Sequence, residues 1–114
     1  MDECIFCKIV EKSLPAKIVC EDDRIIAFED ISPKAPLHVL IIPKKHISTL
    51  FDVEEKDNEL IGHMVYVAKK IAQDKGYFEK GYRVVMNCKS DGGQLVFHIH
   101  LHLLAGRTFE WPPG

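Results

Sequence analysis

The sequence predicts an α+β domain whose sheet is mostly antiparallel. Short strand-like runs follow one another along the chain, and one long amphipathic helix stands among them. Strands joined without helices between them favour antiparallel pairing, and the helix can then cover one face of the sheet. At 114 residues with 46% apolar residues, the chain is long enough for one core, so we expect a single domain over residues 1–114.

Local patterns place the elements of the first half. Apolar residues at spacings of three and four predict a short helix over residues 5–14, which Pro15 would stop. Runs rich in β-branched residues predict strands at 17–20 and 24–29, joined by an acidic turn. After a loop with two prolines, the apolar run at 38–43 predicts a buried strand.

The second half contains the long helix. Apolar residues repeat at three and four from residue 60 to residue 72, which predicts an amphipathic helix ending near Gly76. Two further strands are predicted at 82–87 and 97–105. The segment between them carries two adjacent glycines and is expected to be a loop.

The charge balance excludes some classes of partner. The chain has 15 Lys+Arg against 17 Asp+Glu, so nothing points to nucleic acid or to an anionic membrane surface. No apolar run approaches the ~20 residues of a membrane helix, and the start lacks the features of a secretory signal. We therefore expect a soluble cytoplasmic protein with neither a nucleic-acid nor a membrane partner.

Three of the six histidines, His98, His100 and His102, stand at alternate positions. In a strand they share one face at roughly 6.6 Å spacing, while the apolar residues between them face the core. The outer pair is then roughly 13 Å apart, too far for three-fold binding of one metal. Either two neighbours share a metal, or the rings have different roles and the middle one reacts, since imidazole titrates near neutrality.

Cys4 and Cys7 form a Cys-x-x-Cys pair near the start of the chain. Two thiolates at this spacing are half of a tetrahedral zinc site, which two histidines would complete. His98, an outer ring of the row, and His46 are candidates, although spacing alone leaves the pairing open. A redox role is the alternative, but it lacks the expected βαβ context.

The remaining cysteines and one histidine are given no chemical role. Cys20 and Cys88 stand in strand-like runs and are expected to be small buried apolar residues. His63 lies within the predicted long helix and is expected to be a surface or packing residue.

The stretch HIHLHLL matches the histidine-triad (HIT) pattern His-φ-His-φ-His-φ-φ, in which φ is apolar. FEDISPKAPLHVLIIPKKHIS, GYRVVMN, SDGGQ and WPPG also resemble the Hint branch of that superfamily, so the resemblance covers nearly the whole chain. It implies a five-stranded, mostly antiparallel sheet with one long and one short helix. It also implies a two-fold homodimer that joins two sheets into one.

The resemblance further implies a purine nucleoside phosphoramidase that cleaves the P–N bond between AMP and an amine. His100 would be the nucleophile and would form a covalent AMP-histidine, while His102 would hold the phosphate oxygens. His38 would belong to the site, in a proton relay, although a hydrogen-bonded core histidine is the alternative reading. Two activities compete with this one: dinucleoside polyphosphate hydrolysis, which the WPPG tail argues against, and regulation by a zinc-stabilised nucleotide-binding protein.

The same resemblance assigns contacts to the purine nucleotide. Asp30 would bind the ribose hydroxyls, and Asn87 with the backbone near Gly93 would lie beside the phosphate. Trp111 would border the site in the C-terminal tail. The base pocket would be apolar and would consist of Ile5, Phe6, Ile9, Phe28 and Ile31.

Two features separate this chain from many Hint proteins. The cysteines resemble those of bacterial members and of galactose-1-phosphate uridylyltransferases, which implies a structural zinc held by Cys4, Cys7, His46 and His98. Leu95 stands where well-studied Hint enzymes have a serine whose hydroxyl assists the departing amine.

Overall fold

Five strands pair in the order β1-β2-β3-β5-β4, and every pairing is antiparallel. The computed structural model describes residues 4–114, so the first three residues of the predicted domain lie outside the described range. The predicted α+β class is confirmed. The strands are β1 (Ile18–Glu21), β2 (Ile25–Glu29), β3 (Leu37–Pro43), β4 (Arg83–Val85) and β5 (Leu101–Ala105), and the helices are α1 (Ile5–Val10), α2 (Asn58–Asp74) and α3 (Lys89–Gly92).

Apolar side chains cover both faces of the central strands. Because side chains alternate along a strand, the apolar runs at residues 25–28 of β2 and 39–42 of β3 supply a core on each face. On one face, α2 packs against alternate residues of β2, β3 and β5, among them Val39, Ile41 and Leu103. On the other face, Phe6 and Ile9 of α1 pack against Phe28 and Leu40.

The long helix forms where the three-and-four spacing places it. Its buried stripe consists of Met64, Val67, Ala68, Ile71 and Ala72. Gly76 ends the helix with a φ of 90°, and the N–H of Tyr77 closes the turn on the carbonyl of Ala72 at 2.9 Å. None of the helices in the described chain is both long and apolar enough to span a bilayer.

Three predicted boundaries need correction. α1 ends at Val10 rather than at residue 14, because Lys12 turns into the left-handed region and the N–H of Ser13 closes on the carbonyl of Lys8 at 2.9 Å. β5 starts at Leu101 rather than at residue 97, since the N–H of Ile99 bonds the carbonyl of Ile47, outside β3, at 2.7 Å.

The predicted strand at 82–87 is reduced to Arg83–Val85. The loop predicted after it contains a short helical turn, α3, which ends at Gly93 with a φ of 81°. This left-handed position favours glycine because a Cβ would strain the backbone. The turn brings Asn87, Gly92 and Gly93 to the same side of the sheet as the histidines.

Candidate active site and metal centre

The histidine row lies on the α1 side of the sheet. His102 stands opposite Leu40 in the β3–β5 register, and Leu40 belongs to the core on that face. His98 and His100 precede β5 and are 0% and 9% exposed. The ring of Phe6 lies nearly perpendicular to both, with centroids 5.9 Å from His98 and 5.2 Å from His100. The three rings are therefore adjacent, as expected, although only the last belongs to a strand.

The protonation of His100 follows from its hydrogen bond. Its Nδ1 lies 2.8 Å from the carbonyl oxygen of His98, and a carbonyl can only accept. Nδ1 of His100 therefore carries the proton in the neutral ring, and Nε2 keeps its lone pair. The side chain lines an apolar cavity, so the structure presents His100 as a buried base with one free nitrogen.

A second chain of hydrogen bonds fixes His38 and His102. The N–H of Lys34 donates to Nδ1 of His38 at 3.0 Å, which leaves Nε2 of His38 as the protonated nitrogen. That Nε2–H donates to Nδ1 of His102 at 2.9 Å, and Oδ2 of Asp30 lies 3.4 Å from the same nitrogen. Because Nδ1 of His102 accepts this hydrogen bond, the neutral ring of His102 carries its proton on Nε2.

Burial keeps these rings neutral. It lowers the pKa of His102 to about 4, and the neighbouring His100 and His38 lower it further. Burial also lowers the pKa of His38, against the opposing effect of Asp30. Asp30, His38 and His102 lie close enough to suggest a cation site. However, the donor at Lys34 forces the proton onto the His38 nitrogen that would have to bind the ion, so the cluster is better suited to proton transfer.

An apolar cavity of about 430 Å³ opens beside His100, which we call the base cavity. All five residues expected to form the base pocket line it, from the 4% exposed Phe28 to the 99% exposed Ile31 at its rim. Asp30, Asn87 and Gly93 also line it. Leu95 borders it with 90% exposure.

A second, larger cavity of about 860 Å³ lies beyond His102, and we call it the cationic groove. His102 and Asn87 line both cavities, whereas His100 lines only the base cavity. Trp111 is 84% exposed and lines neither one, so its contact with substrate stays a prediction. The charged side chains of the groove are Lys34, Arg83, Arg107 and Glu110.

Near the start of α1 four possible metal ligands converge: Cys4, Cys7, His46 and His98. None of them lines the cationic groove. Nε2 of His98 donates to the carbonyl of Pro43 at 2.8 Å, so Nδ1 of His98 is the unprotonated nitrogen. This Nδ1 lies 3.4 Å from Sγ of Cys4, 3.6 Å from Sγ of Cys7 and 3.2 Å from Nδ1 of His46. Sγ of Cys7 lies 3.3 Å from Nδ1 of His46.

These separations fit a tetrahedral zinc ion. With Zn–S bonds of about 2.3 Å and Zn–N bonds of about 2.05 Å, ligand atoms stand about 3.6 Å apart for S···N and about 3.3 Å for N···N. Burial lowers the pKa of His98 to about 4, which keeps its ligand nitrogen unprotonated. Burial and the neighbouring Cys4 raise the pKa of Cys7 to about 11, and a divalent cation would oppose that shift by stabilising the thiolate.

The comparisons with known proteins agree with this geometry. The profile of the HIT domain matches residues 11–109. The chain belongs to the HIT family. It is 47% identical over 113 residues to an uncharacterized HIT-like protein of Synechocystis sp., covering 99% of this chain and 98% of that one.

Two solved structures show how far the HIT fold is shared. A HIT family hydrolase from Legionella pneumophila Philadelphia 1 is 56% identical with a TM-score of 0.96, covering 98% of this chain and 100% of that one. A Zn-bound histidine triad family protein from Mycobacterium smegmatis is 34% identical with a TM-score of 0.82, covering 93% and 76%.

Sequence reasoning about this HIT protein missed several contacts that organise the site. Gln94 donates to the carbonyls of Ser48 and Val96 at 2.7 and 3.0 Å, and its Oε1 accepts from the N–H of Lys89 at 2.9 Å. It thereby ties the loop after α3 to the loop after β3. Arg83 and Arg107 were missed because isolated surface cations carry no pattern; only the fold brings them together.

The residues without an expected chemical role need two adjustments. Cys20 and Cys88 are half-buried rather than fully buried. Nε2 of His63 lies 2.6 Å from Oδ2 of Asp22, in the β1–β2 turn, which sequence separation concealed. Burial raises the pKa of Asp22, but the hydrogen bond with His63 and two backbone N–H groups lower it more, to about 2.

Proposed function

We propose that this HIT protein is a nucleotidyl hydrolase that cleaves purine nucleoside phosphoramidates through a covalent AMP–His100 intermediate. One observation carries the proposal: in the neutral rings, the hydrogen bonds place the lone pair on Nε2 of His100 and the proton on Nε2 of His102. A nucleophile and an acid of this kind are what displacement of an amine from phosphorus requires. The rings are adjacent, with centroids 5.0 Å apart.

The base cavity supports a purine nucleotide as substrate. Its volume of about 430 Å³ lies in the usual range for ligand sites, and its walls are mainly apolar. Asp30 already accepts from the N–H of Ser32 and faces His38, yet a carboxylate has about four lone-pair sites, so it can still accept from a ribose diol. We therefore place the base among the α1 side chains, the ribose at Asp30 and the phosphate between His100 and His102.

The proposed reaction balances in two steps. In the first, Nε2 of His100 attacks the α-phosphorus, the P–N bond breaks, and the amine leaves with the proton from Nε2 of His102, so that a cationic phosphorylated His100 ring lies beside an anionic His102 ring until the second step. In the second, water attacks the phosphorus, the bond to His100 breaks, and the water proton returns to His102. AMP and the free amine are the products, and each ring recovers its starting tautomer.

We also propose that Cys4, Cys7, His46 and His98 hold a structural Zn²⁺. The support is the fit of their separations to tetrahedral geometry and the zinc bound by the related Mycobacterium smegmatis protein. Such an ion would link α1 to the segment after β3, which carries His46, and to the segment before β5, which carries His98. α1 also supplies part of the wall of the base cavity. No step of the reaction uses it.

Release of AMP from adenosine 5′-phosphoramidate tests the activity. His100→Ala should reduce kcat by at least ~10³-fold, because it removes the nucleophile. Rapid quench of the wild type in alkaline denaturant, which preserves the acid-labile bond between phosphorus and histidine, should give a protein heavier by one AMP, and this species should be absent from the variant. His63→Ala is the matched control, since it removes a histidine that contacts Asp22 instead of the site. Full turnover by His100→Ala would rule out a covalent mechanism through His100.

Dinucleoside polyphosphate hydrolysis is the second candidate, and the charge of the cationic groove favours it. Three cationic side chains beyond His102 could hold the phosphates of a second nucleotide. Parallel measurement of kcat/KM on diadenosine triphosphate and on the phosphoramidate decides between the two. A regulatory binding protein would instead bind AMP and turn over neither substrate.

A further inference from the structure

The cationic groove lies where a leaving group should depart. In-line displacement expels the leaving group on the side of the phosphorus opposite the nucleophile. His100 lines the base cavity alone, whereas His102 and Asn87 line both cavities and so mark the passage between them. An amine protonated by His102 would therefore enter the groove.

The two cavities carry opposite charge. The charged side chains lining the base cavity are Glu29 and Asp30, both acidic. Those lining the groove are Lys34, Arg83 and Arg107 against Glu110 alone. We propose that the groove binds the leaving group and selects amines that carry a carboxylate, as in an amino acid attached to AMP through its nitrogen. This inference rests on the proposed function and specifies its substrate class.

Both guanidinium groups are held in place before any ligand arrives. Nε of Arg107 donates to the carbonyl of Lys34 at 2.9 Å and Nη1 donates to that of Thr108 at 3.2 Å. Nη2 of Arg83 donates to the carbonyl of Glu110 at 3.0 Å. The ring of Phe109 lies between them, 4.2 Å from the Arg107 guanidinium and 5.2 Å from that of Arg83.

These contacts leave donors free. A guanidinium has five N–H donors, of which Arg107 uses two and Arg83 one on the backbone. Within residues 4–114, neither arginine forms an ion pair with a carboxylate, although several lysines do. A fixed cation with unused parallel donors suits a planar carboxylate, because little side-chain entropy remains to be lost on binding.

The test compares two substrates that differ only in charge at the far end. AMP joined to the nitrogen of 4-aminobutyrate is compared with the same compound as its carboxamide, since the spacer keeps the two amines similar in basicity. We expect the wild type to prefer the carboxylate by about tenfold in kcat/KM at low salt, and the preference to shrink at high salt because the groove is open to solvent. In Arg107→Gln and Arg83→Gln the ratio of the two kcat/KM values should fall towards one.

Lys69→Gln is the control, because it removes an exposed cation from α2, on the opposite face of the sheet. It should leave the ratio at the wild-type value. A ratio near one in the wild type, or a ratio that both arginine variants leave unchanged, would overturn the proposal.

Failure of the proposed function would look different. If neither compound is cleaved, calorimetric Kd values for both still show whether the groove prefers a carboxylate. The carboxylate should bind more tightly than the carboxamide to the wild type and lose that advantage in Arg107→Gln. If diadenosine triphosphate is cleaved faster than both compounds, the cationic groove still binds an anionic leaving group, and only the phosphoramidase assignment falls. Equal Kd values of the wild type for the carboxylate and the carboxamide would overturn the proposal, whether or not the compounds are cleaved.

Discussion

At the scale of single residues, the decisive feature is which nitrogen of each histidine carries the proton. The backbone N–H of Lys34 sets His38, and His38 in turn sets His102. In the proposed mechanism His38 is thus a positioning residue: it touches no reacting atom, but it holds the acid, His102, in the tautomer that would protonate the amine. The motif alone left its role open between a relay and a core histidine.

His38→Leu should therefore lower kcat by about tenfold to a hundredfold, part of the value of a well-placed general acid. The loss should be largest for basic alkylamines, which must be protonated as they leave, and smallest for weakly basic amines. The measurement is kcat across a series of amines of graded basicity. His38→Gln, whose amide can still donate to His102, should recover part of the rate.

His63→Leu serves as the comparison, because it removes a histidine whose partner is Asp22. It should change stability and leave the dependence on amine basicity as in the wild type. If His38→Leu lowers the rate equally for all amines, His38 acts through packing and not through the tautomer of His102.

At the scale of elements, α1 depends on its contacts. A helix of six residues is far too short to be stable alone in water. Phe6 and Ile9 anchor it on the sheet, and the N–H of Cys7 bonds Sγ of Cys4 at 3.3 Å at its start. A zinc ion at the two cysteines would fix the same end, so metal and base cavity should be coupled.

Cys7→Ser should lose the metal, lower Tm by several degrees and raise KM for the nucleotide, because α1 contributes walls of the base cavity. Metal analysis should give about one zinc per chain in the wild type, with two sulfur and two nitrogen ligands by X-ray absorption. Cys20→Ser removes a half-buried cysteine away from the site and should keep the metal. A wild type that is fully stable without metal would contradict the assignment.

The elements also show what sequence reasoning can reach. The stripe of α2 is a local periodic signal, and it predicted the helix and an end near Gly76, close to the observed last residue, Asp74. The predicted start of β5 at residue 97 was wrong because the N–H of Ile99 donates to the carbonyl of Ile47. This contact joins residues far apart in the sequence, so no local pattern predicts it. The same limit hid the pairing of Arg83 with Arg107 around Phe109. The triad and the cysteine pair were visible because their chemistry requires rare residues at fixed spacing.

At the scale of the whole molecule, the buried histidines link stability to pH. The pKa of His102 is lowered to about 4 in the folded state, against about 6.5 unfolded. Protons therefore bind the unfolded chain more readily between these values, and stability that is present above pH 6.5 is lost as pH falls towards 4. This difference in pKa corresponds to about 3 kcal/mol of stability once pH has fallen below both values.

The free energy of unfolding of the wild type should fall over that range, and His102→Gln should flatten the decline. Urea titrations at pH 7, 5.5 and 4.5 measure the difference between the two proteins, which cancels the contributions of the other groups. Parallel curves would mean that His102 is protonated in the folded state as easily as in the unfolded one.

The last prediction concerns the two edges of the sheet. The outer strands are β1 and β4, and an unpaired edge can pair with another chain. Glu21 of β1 pairs with Lys12 and Lys44 at 2.8 and 2.7 Å, and such charges discourage pairing. β4 instead carries the partly exposed Tyr82 beside it and Val84 within it, 39% and 38% exposed.

We therefore expect a two-fold dimer formed through β4, which would join two sheets into one. Val84→Lys places a charge on that edge and should shift the protein to monomer in sedimentation equilibrium at micromolar concentration. Ile18→Lys is the matched control on β1, since Ile18 is 40% exposed, and it should remain dimeric. A wild type that sediments as a monomer of 13.0 kDa with full activity would refute this expectation.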